Sequence, residues 1–392
     1  MSKIPVIVAA KRTPIGSFNG ALASFSAAEL GSFVIKSVLE TSGISANQVD
    51  EVIMGNVLNA GMGQAPARQA ALKAGLPDKT PATTINKVCS SGLKAVMYAA
   101  NQIASGECDI IIAGGMESMS NVPFYLPNMR NGQKLGHVTA EDGILKDGLT
   151  DAYDNKHMGL AAELCASTYK FSREDQDNYA ISSYKKAIDA TEKGLFKDEI
   201  TVVEVKDRKG NVTLVDRDEE LARVSFDKIP SLRPVFAKDG TVTAANASSI
   251  NDGAAALLIM SEEKANELGL PILAKIAGQA SAAKEPQWFT TAPSDAVPKA
   301  LKSAGLSISD IDLFEVNEAF SVVCLANNKE LKLPAEKVNT RGGAVSIGHP
   351  IGCSGARILV TLLHAMNQQN LKHGVVGICN GGGGATSMVV SR

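Results

Sequence analysis

Aromatic residues make up only 5% of this chain, five histidines are spread over 392 residues, and 39 Lys and Arg nearly cancel 41 Asp and Glu. Each shortage removes a class of function. A net charge of -2 with no basic run offers nothing to a nucleic-acid backbone or an anionic membrane surface. The six cysteines (Cys89, Cys108, Cys165, Cys324, Cys353 and Cys379) include no C-x-x-C pair, which argues against a disulfide framework or structural zinc and fits a reducing compartment. No apolar stretch approaches the ~20 residues of a membrane helix. Met1-Ser2-Lys3 runs straight into a strand-like segment at 4–10, so no export or transit leader is expected. The terminal Val390-Ser391-Arg392 is not the S-K-L peroxisomal signal, and the cytoplasm is the expected location. What the chain does have is 45% hydrophobic content, enough for more than one core, and small-molecule chemistry is the function class left standing.

Apolar runs at 4–10, 52–54 and 110–113 alternate with a helix-period stretch at 27–42, which is α/β patterning. From about 121 to 240 the texture changes. A Gly- and Pro-spaced region leads to a helix expected at 173–193, a hairpin around Lys209-Gly210-Asn211 and a charged segment, together read as an inserted lid. Beyond Thr243 the α/β texture returns, with strands expected at 254–260 and 313–316 and a helix at 295–305. The two α/β portions share their punctuation. Cys89-Ser90-Ser91-Gly92 opens a helix leading to the 110–113 strand and Gly114-Gly115; Cys353-Ser354-Gly355 opens a helix at 356–366 leading to a strand at 375–379 and Gly381 to Gly384. Duplication is the reading adopted, and a duplicated unit brings equivalent loops to one shared face. The expected division is 1–120 (completed by about 245–270), an insertion at 121–244, and 271–392.

Four clusters can carry chemistry. Cys89 precedes apolar residues at helical spacing (Leu93, Val96, Met97, Ala100, Ile103), so it stands at a helix start, where free N–H groups and the helix dipole favour a thiolate and lower the thiol pKa. A buried cysteine packed as a small hydrophobe remains open at this point. His349 is held between Gly348 and Pro350, and a neutral imidazole is a natural proton acceptor for a thiol, although a satisfied core histidine would look the same. Cys379-Asn380 and the glycines at 381–384 end a strand with a cysteine and a run whose N–H groups can approach an oxygen closely. A dinucleotide fingerprint fails there, because only a strand-like segment follows and no helix N-terminus receives a pyrophosphate. Asn317 and Glu318, in Glu315-Val316-Asn317-Glu318-Ala319-Phe320, read in isolation as helix-capping groups.

Together these clusters resemble the thiolase family, and within it the acetoacetyl-CoA thiolases. The resemblance spans nearly the whole chain. It rests on Arg12-Thr13-Pro14-Ile15-Gly16, Gly63-Gln64-Ala65-Pro66-Ala67-Arg68-Gln69, Asn86-Lys87-Val88-Cys89-Ser90-Ser91-Gly92 and Ala113-Gly114-Gly115-Met116-Glu117-Ser118-Met119. Further along it includes Asn317-Glu318-Ala319-Phe320, Gly342-Gly343-Ala344, Gly348-His349-Pro350-Ile351-Gly352 and Cys379-Asn380-Gly381-Gly382-Gly383. The fold implied is α/β, with two duplicated βαβαβ-type cores in an α/β/α/β/α stack and an inserted loop domain. The activity implied is a reversible Claisen condensation of two acetyl-CoA to acetoacetyl-CoA and CoA. Cys89, activated by His349, takes the acetyl group, and Cys379 deprotonates the second acetyl-CoA. The enolate oxygen is met by His349 and a water on Asn317, and the thioester oxygen by the N–H groups of Cys89 and Gly381. No metal or redox cofactor enters the chemistry.

The same resemblance implies CoA contacts at Leu149, His157, Met158, Arg223, Phe236, Ala244, Ser248, Ala319 and Phe320, and a potassium site at Tyr184, Ala244, Ala245, Ala247 and Val345. A homotetramer, as a dimer of dimers, is the expected assembly. Members that accept 2-methyl-branched substrates carry Phe-Pro near the acyl pocket, where this chain has Phe289-Thr290. Three alternatives stay open: a degradative 3-ketoacyl-CoA thiolase for longer chains, a decarboxylating ketoacyl synthase, and a catalytically silent scaffold. The synthase would need Cys-His-His or Cys-His-Asn where Cys379 stands.

Overall fold

The computed structural model describes residues 2–392. Its first half is built on β1 (Pro5–Arg12), β2 (Glu51–Gly55), β3 (Ala82–Ile85), β4 (Ile110–Ser118) and β5 (Asn251–Ser261), lying in the order β3-β2-β4-β5-β1. β2 runs parallel to β3 and β4, and β5 is antiparallel to both β4 and β1. The second half repeats this scheme with β6 (Ala274–Ala283), β7 (Leu313–Val316), β8 (His373–Asn380) and β9 (Gly384–Ser391) in the order β7-β8-β9-β6. Here β7 is parallel to β8, and β9 is antiparallel to β8 and β6. A single parallel bridge, Phe314 to Val338, stands where β3 lies in the first half. The halves are joined edge to edge only at Val6–Lys275 and Ile7–Ala274.

Strand alternation sorts side chains into layers. Along β5, Ala255, Leu257 and Ile259 enter a central cluster, whereas Ala254, Ala256, Leu258 and Met260 enter an outer one. The strand is buried on both faces, which is why it reads as one continuous apolar run. The outer layer of the first half is α1 (Ala27–Ser42) with α2 (Pro66–Lys73). α1 opens on a Ser26–Glu29 capping box and stops at Gly43, whose φ of 72° only glycine adopts cheaply. α3 (Ser91–Ser105) forms the central layer with a C-terminal helix defined below.

The insertion carries α4 (Met158–Tyr169) and α5 (Arg173–Glu192), then the hairpin Val203–Lys206 and Val212–Val215. It is anchored to β1 by the fully buried Arg12, whose guanidinium donates to Glu199 at 2.6 Å and to both oxygens of Asp218 at 2.7 and 2.9 Å. α6 (Pro293–Ala304) and α7 (Ser321–Leu331) cover the outer face of the second half, and α8 (Ile351–Gln368) completes the central layer.

Three elements depart from the sequence reading. α8 starts at Ile351 rather than near 356, because Pro350 ends the preceding loop and the helix-poor Gly352 and Gly355 lie inside its first turns. β4 runs on through Gly114 and Gly115, since the missing side chain at Gly115 lets the Gly352 carbonyl pack against the strand. α4 was not expected at all. It is capped by the His157 ring nitrogen, accepting from Gly159 N–H at 3.0 Å, instead of by a serine or aspartate.

Candidate active site

The turn before α3 holds Cys89 in a conformation that the chain resists. Val88 sits at φ 48°, an outlying region for a β-branched residue. It is held there from several sides: Val88 N–H donates to Asn86 Oδ1 (2.9 Å), Ser91 Oγ donates to the Val88 carbonyl (2.6 Å), and Lys87 N–H donates to Ser91 Oγ (2.8 Å). Ser90 Oγ then donates to Asn380 Oδ1 at 2.9 Å, tying the turn to the end of β8. The backbone N–H groups of Gly381 and of Cys89 itself lie near enough to the Cys89 sulfur to favour its thiolate.

Burial nevertheless pushes the Cys89 thiol up to about 12, with those two N–H groups pulling the other way. This corrects the expectation of a lowered pKa: a helix start favours the thiolate, but removal from water among apolar walls disfavours it more. Cys379, buried at the end of β8, is pushed up as well, first by burial and then by the Cys89 sulfur. Both thiols therefore stay neutral at rest, and they lie near enough for the Cys89 sulfur to add to the Cys379 shift.

His349 is buried, and burial together with the Arg357 charge drives its pKa down to about 3, so the ring is neutral. Gly348, at φ 112°, precedes it with its Cα against the Asn251 side chain, and Asn251 Oδ1 accepts the His349 N–H at 2.8 Å. The ring contacts Ser354 Oγ through Nδ1 (2.6 Å) and Asn317 Nδ2 through Nε2 (3.4 Å). Asn317 Oδ1 is buried with no protein partner, which is what a water-holding amide requires.

Behind this layer, the buried Glu117 carboxylate accepts the N–H groups of Val57 (3.0 Å), Leu58 (3.1 Å) and Gly352 (2.9 Å) and the Asn56 amide (2.7 Å). Burial raises it to about 7 against those donors. It fastens the start of α8 to β4 and was missed from sequence, though Met116-Glu117-Ser118 lay within a quoted motif. Glu318 was read as a possible cap; instead it accepts from Tyr179, Ser183, Asn339 and the Val345 N–H, locking the chain after β7. Ser354 was also missed as a partner for His349; its spacing, five residues on and one turn into a helix, was the available signal.

Cys89, His349 and Gly381 open onto a cavity of about 470 Å³, which all nine expected CoA contacts also line: Leu149, His157, Met158, Arg223, Phe236, Ala244, Ser248, Ala319 and Phe320. His157 stacks on Phe236 with ring centroids 4.6 Å apart, and Phe236 meets Phe320 edge-on. Arg223 is exposed and paired with Glu219 at 2.9 Å, so a phosphate there must compete with a carboxylate. Cys379 lies deeper, in a cluster with Met158, Phe289, Ala319 and Phe320. Of the potassium candidates, Tyr184 and Val345 share one small cluster, Ala244 and Ala247 line the cavity, and Ala245 is buried.

Two family descriptions match in tandem, "Thiolase, N-terminal domain" over residues 5–263 and "Thiolase, C-terminal domain" over 270–392. The chain belongs to the thiolase family. A cytosolic acetyl-CoA acetyltransferase from Gibberella zeae is 54% identical, with all of both chains covered. A probable acetyl-CoA acetyltransferase from Dictyostelium discoideum is 53% identical over 99% of this chain and 94% of that one. The crystal structure of the Bacillus anthracis acetyl-CoA acetyltransferase superposes with a TM-score of 0.97 at 41% identity, covering 100% and 99% of the two chains. The layered, duplicated α/β fold is thus a thiolase fold. No described helix is long and apolar enough to cross a membrane.

Proposed function

We propose that this thiolase is an acetyl-CoA C-acetyltransferase, an acyltransferase that condenses two acetyl-CoA to acetoacetyl-CoA and CoA, and runs the reverse thiolysis, without a metal or redox cofactor in the chemistry. The observation that carries the reading is the convergence of Cys89, His349 and Gly381 on one cavity, with Cys379 packed behind Met158, Phe289, Ala319 and Phe320, which also line it. As the Cys89 sulfur attacks the thioester carbonyl, its proton passes to His349, the carbonyl oxygen collects the N–H groups of Cys89 and Gly381, and the CoA thiolate leaves with the proton. Cys379 then passes its S–H proton to Nε2 of the once more neutral His349 and, as a thiolate, removes a methyl proton from the second acetyl-CoA. The enolate oxygen is held by the Nε2–H so formed on His349 and by a water on Asn317 while its carbon attacks the acetyl-Cys89 thioester, and the expelled Cys89 sulfur takes the Nε2 proton back. Because Cys89 is neutral at rest, its proton transfer accompanies bond formation rather than preceding it.

The acyl end favours short chains, since Met158, Phe289, Ala319 and Phe320 close around Cys379. Pantetheine lies along Leu149, Ala244 and Ser248, and the nucleotide end reaches His157, Phe236 and Arg223. Residues 1–120 with about 245–270, and 271–392, act as two cores, with 121–244 as the loop domain. A potassium ion held near Tyr184, Ala244, Ala245, Ala247 and Val345 would steady the CoA loop. Glu220 and Glu318 lend that place a negative field, which with burial pushes the Tyr184 hydroxyl up to about 12. The exposed Phe124, Leu126, Met129, Leu135 and Val138 suit burial between subunits of a homotetramer, and the cytoplasm is the proposed compartment. Thiolysis of acetoacetyl-CoA compared with longer 3-ketoacyl-CoA esters, with and without potassium, tests the whole reading. Equal or better rates on long chains would overturn it.

A further inference from the structure

We propose that Ser354 is a positioning residue that sets the tautomer of His349, so that the imidazole offers an unprotonated Nε2 to the Cys89 thiol. The inference rests on the reading that His349 takes the Cys89 proton. Ser354 is fully buried in the first turn of α8, with its Oγ 2.6 Å from His349 Nδ1 and 2.9 Å from the Pro350 carbonyl. A serine hydroxyl has one proton, and in a helix it habitually goes to the carbonyl four residues back, here Pro350. With that proton committed, the oxygen can only accept from the ring, so Nδ1 carries the hydrogen. The far side of the ring agrees. Nε2 faces Asn317 Nδ2, which is a donor, at 3.4 Å, and two hydrogens would collide there if Nε2 were protonated.

The choice of a hydroxyl as orienting group has a chemical consequence. A carboxylate at this position would stabilise the imidazolium and draw the thiol proton across before substrate arrives. A neutral oxygen fixes the ring without supplying charge, and Arg357 adds a repelling one. The pair then stays as thiol and imidazole until an acyl carbonyl is in place. In the transfer step the Cys89 S–H bond breaks, an Nε2–H bond forms, Nδ1 keeps its hydrogen on Ser354, and the departing CoA thiolate takes the Nε2 proton. No other proton source is needed.

Nitrogen NMR of the full chain labelled in histidine reads the tautomer directly, with the His349 signals assigned by their loss in His349→Asn. The expected result is a protonated Nδ1 and a pyridine-type Nε2 in the wild type; a proton on Nε2 overturns the proposal. Ser354→Ala should leave the ring without a fixed tautomer, with Nε2–H appearing beside Nδ1–H, and slow acetyl transfer to Cys89 at least about tenfold, with KM for acetyl-CoA little changed. Ser354→Thr, which keeps the hydroxyl, should recover most of the rate. Acetylation of Ser354→Ala at the wild-type rate also overturns the proposal. A wild-type chain that accepts no acetyl group from acetyl-CoA defeats the functional reading instead, and the NMR result still decides the tautomer.

Discussion

Replacing Cys379 with alanine should separate the two halves of the reaction. The side chain is 1% exposed and lies in an apolar cluster with Met158, Phe289 and Ala319, so deleting one sulfur costs about 1 kcal/mol and leaves the fold intact. Nothing that serves the first transfer is touched: Cys89, its own N–H, the Gly381 N–H and His349 all remain. Acetylation of Cys89 in a single turnover, followed by mass spectrometry of its peptide, should therefore proceed at close to the wild-type rate. The second transfer loses its base. A positioned acid–base group contributes about 10² to 10⁴ in rate, roughly 2.7–5.5 kcal/mol of barrier, and condensation and thiolysis should both fall by that factor. Exchange of solvent deuterium into the methyl group of acetyl-CoA isolates the proton abstraction itself and should vanish with it. Turnover within about tenfold of wild type, or persistent exchange, would refute the assignment of the base and point to another group in the pocket.

Other changes test the framework. At the crossing of the two central helices, a Cβ on Gly92 would stand 2.8 Å from Ala356 N and 3.0 Å from the Cys353 carbonyl. Gly92→Ala should therefore lower stability by about 1–2 kcal/mol in thermal melts and slow acetylation more than that loss explains, whereas an unchanged melting temperature would contradict the packing argument. Glu315 is pushed up to about 8 from 4.5, first by burial, with Arg357 opposing. Its folded form binds a proton more tightly than the unfolded chain, so between those values stability falls as pH rises, by at most about 1.4 kcal/mol per pH unit. Glu315→Gln, which mimics the protonated form, should flatten the melting temperature between pH 5 and 8; parallel curves for variant and wild type would refute it.

Much of the framework was legible because strands buried on both faces, such as β5, leave continuous apolar runs, and because α1 repeats its apolar residues at helical spacing. Duplication was readable from punctuation alone, and the repeated strand order bears it out. What the residues hid was context. The start of α8 could not be placed from propensity, since Gly352 and Gly355 disfavour a helix on their own and are there for close packing against Glu117, β4 and α3. The pKa direction of Cys89 was misread because a helix start is a local feature, whereas the apolar enclosure that outweighs it is assembled from distant segments. Ser354 and Glu117 bind no substrate atom in the reading proposed, and partners of partners have no signature until the chain is folded.

The β1–β6 seam, only two residue pairs long, has a consequence for how the protein comes into being. Cys89 precedes His349 and Cys379 in the chain by more than half its length, and β9, which wedges β8 against β6, follows all of them. A chain without its late half thus holds Cys89 without His349 and Cys379. The cavity that Cys89 shares with His349 and Gly381 is assembled by the docking of the second half on the first.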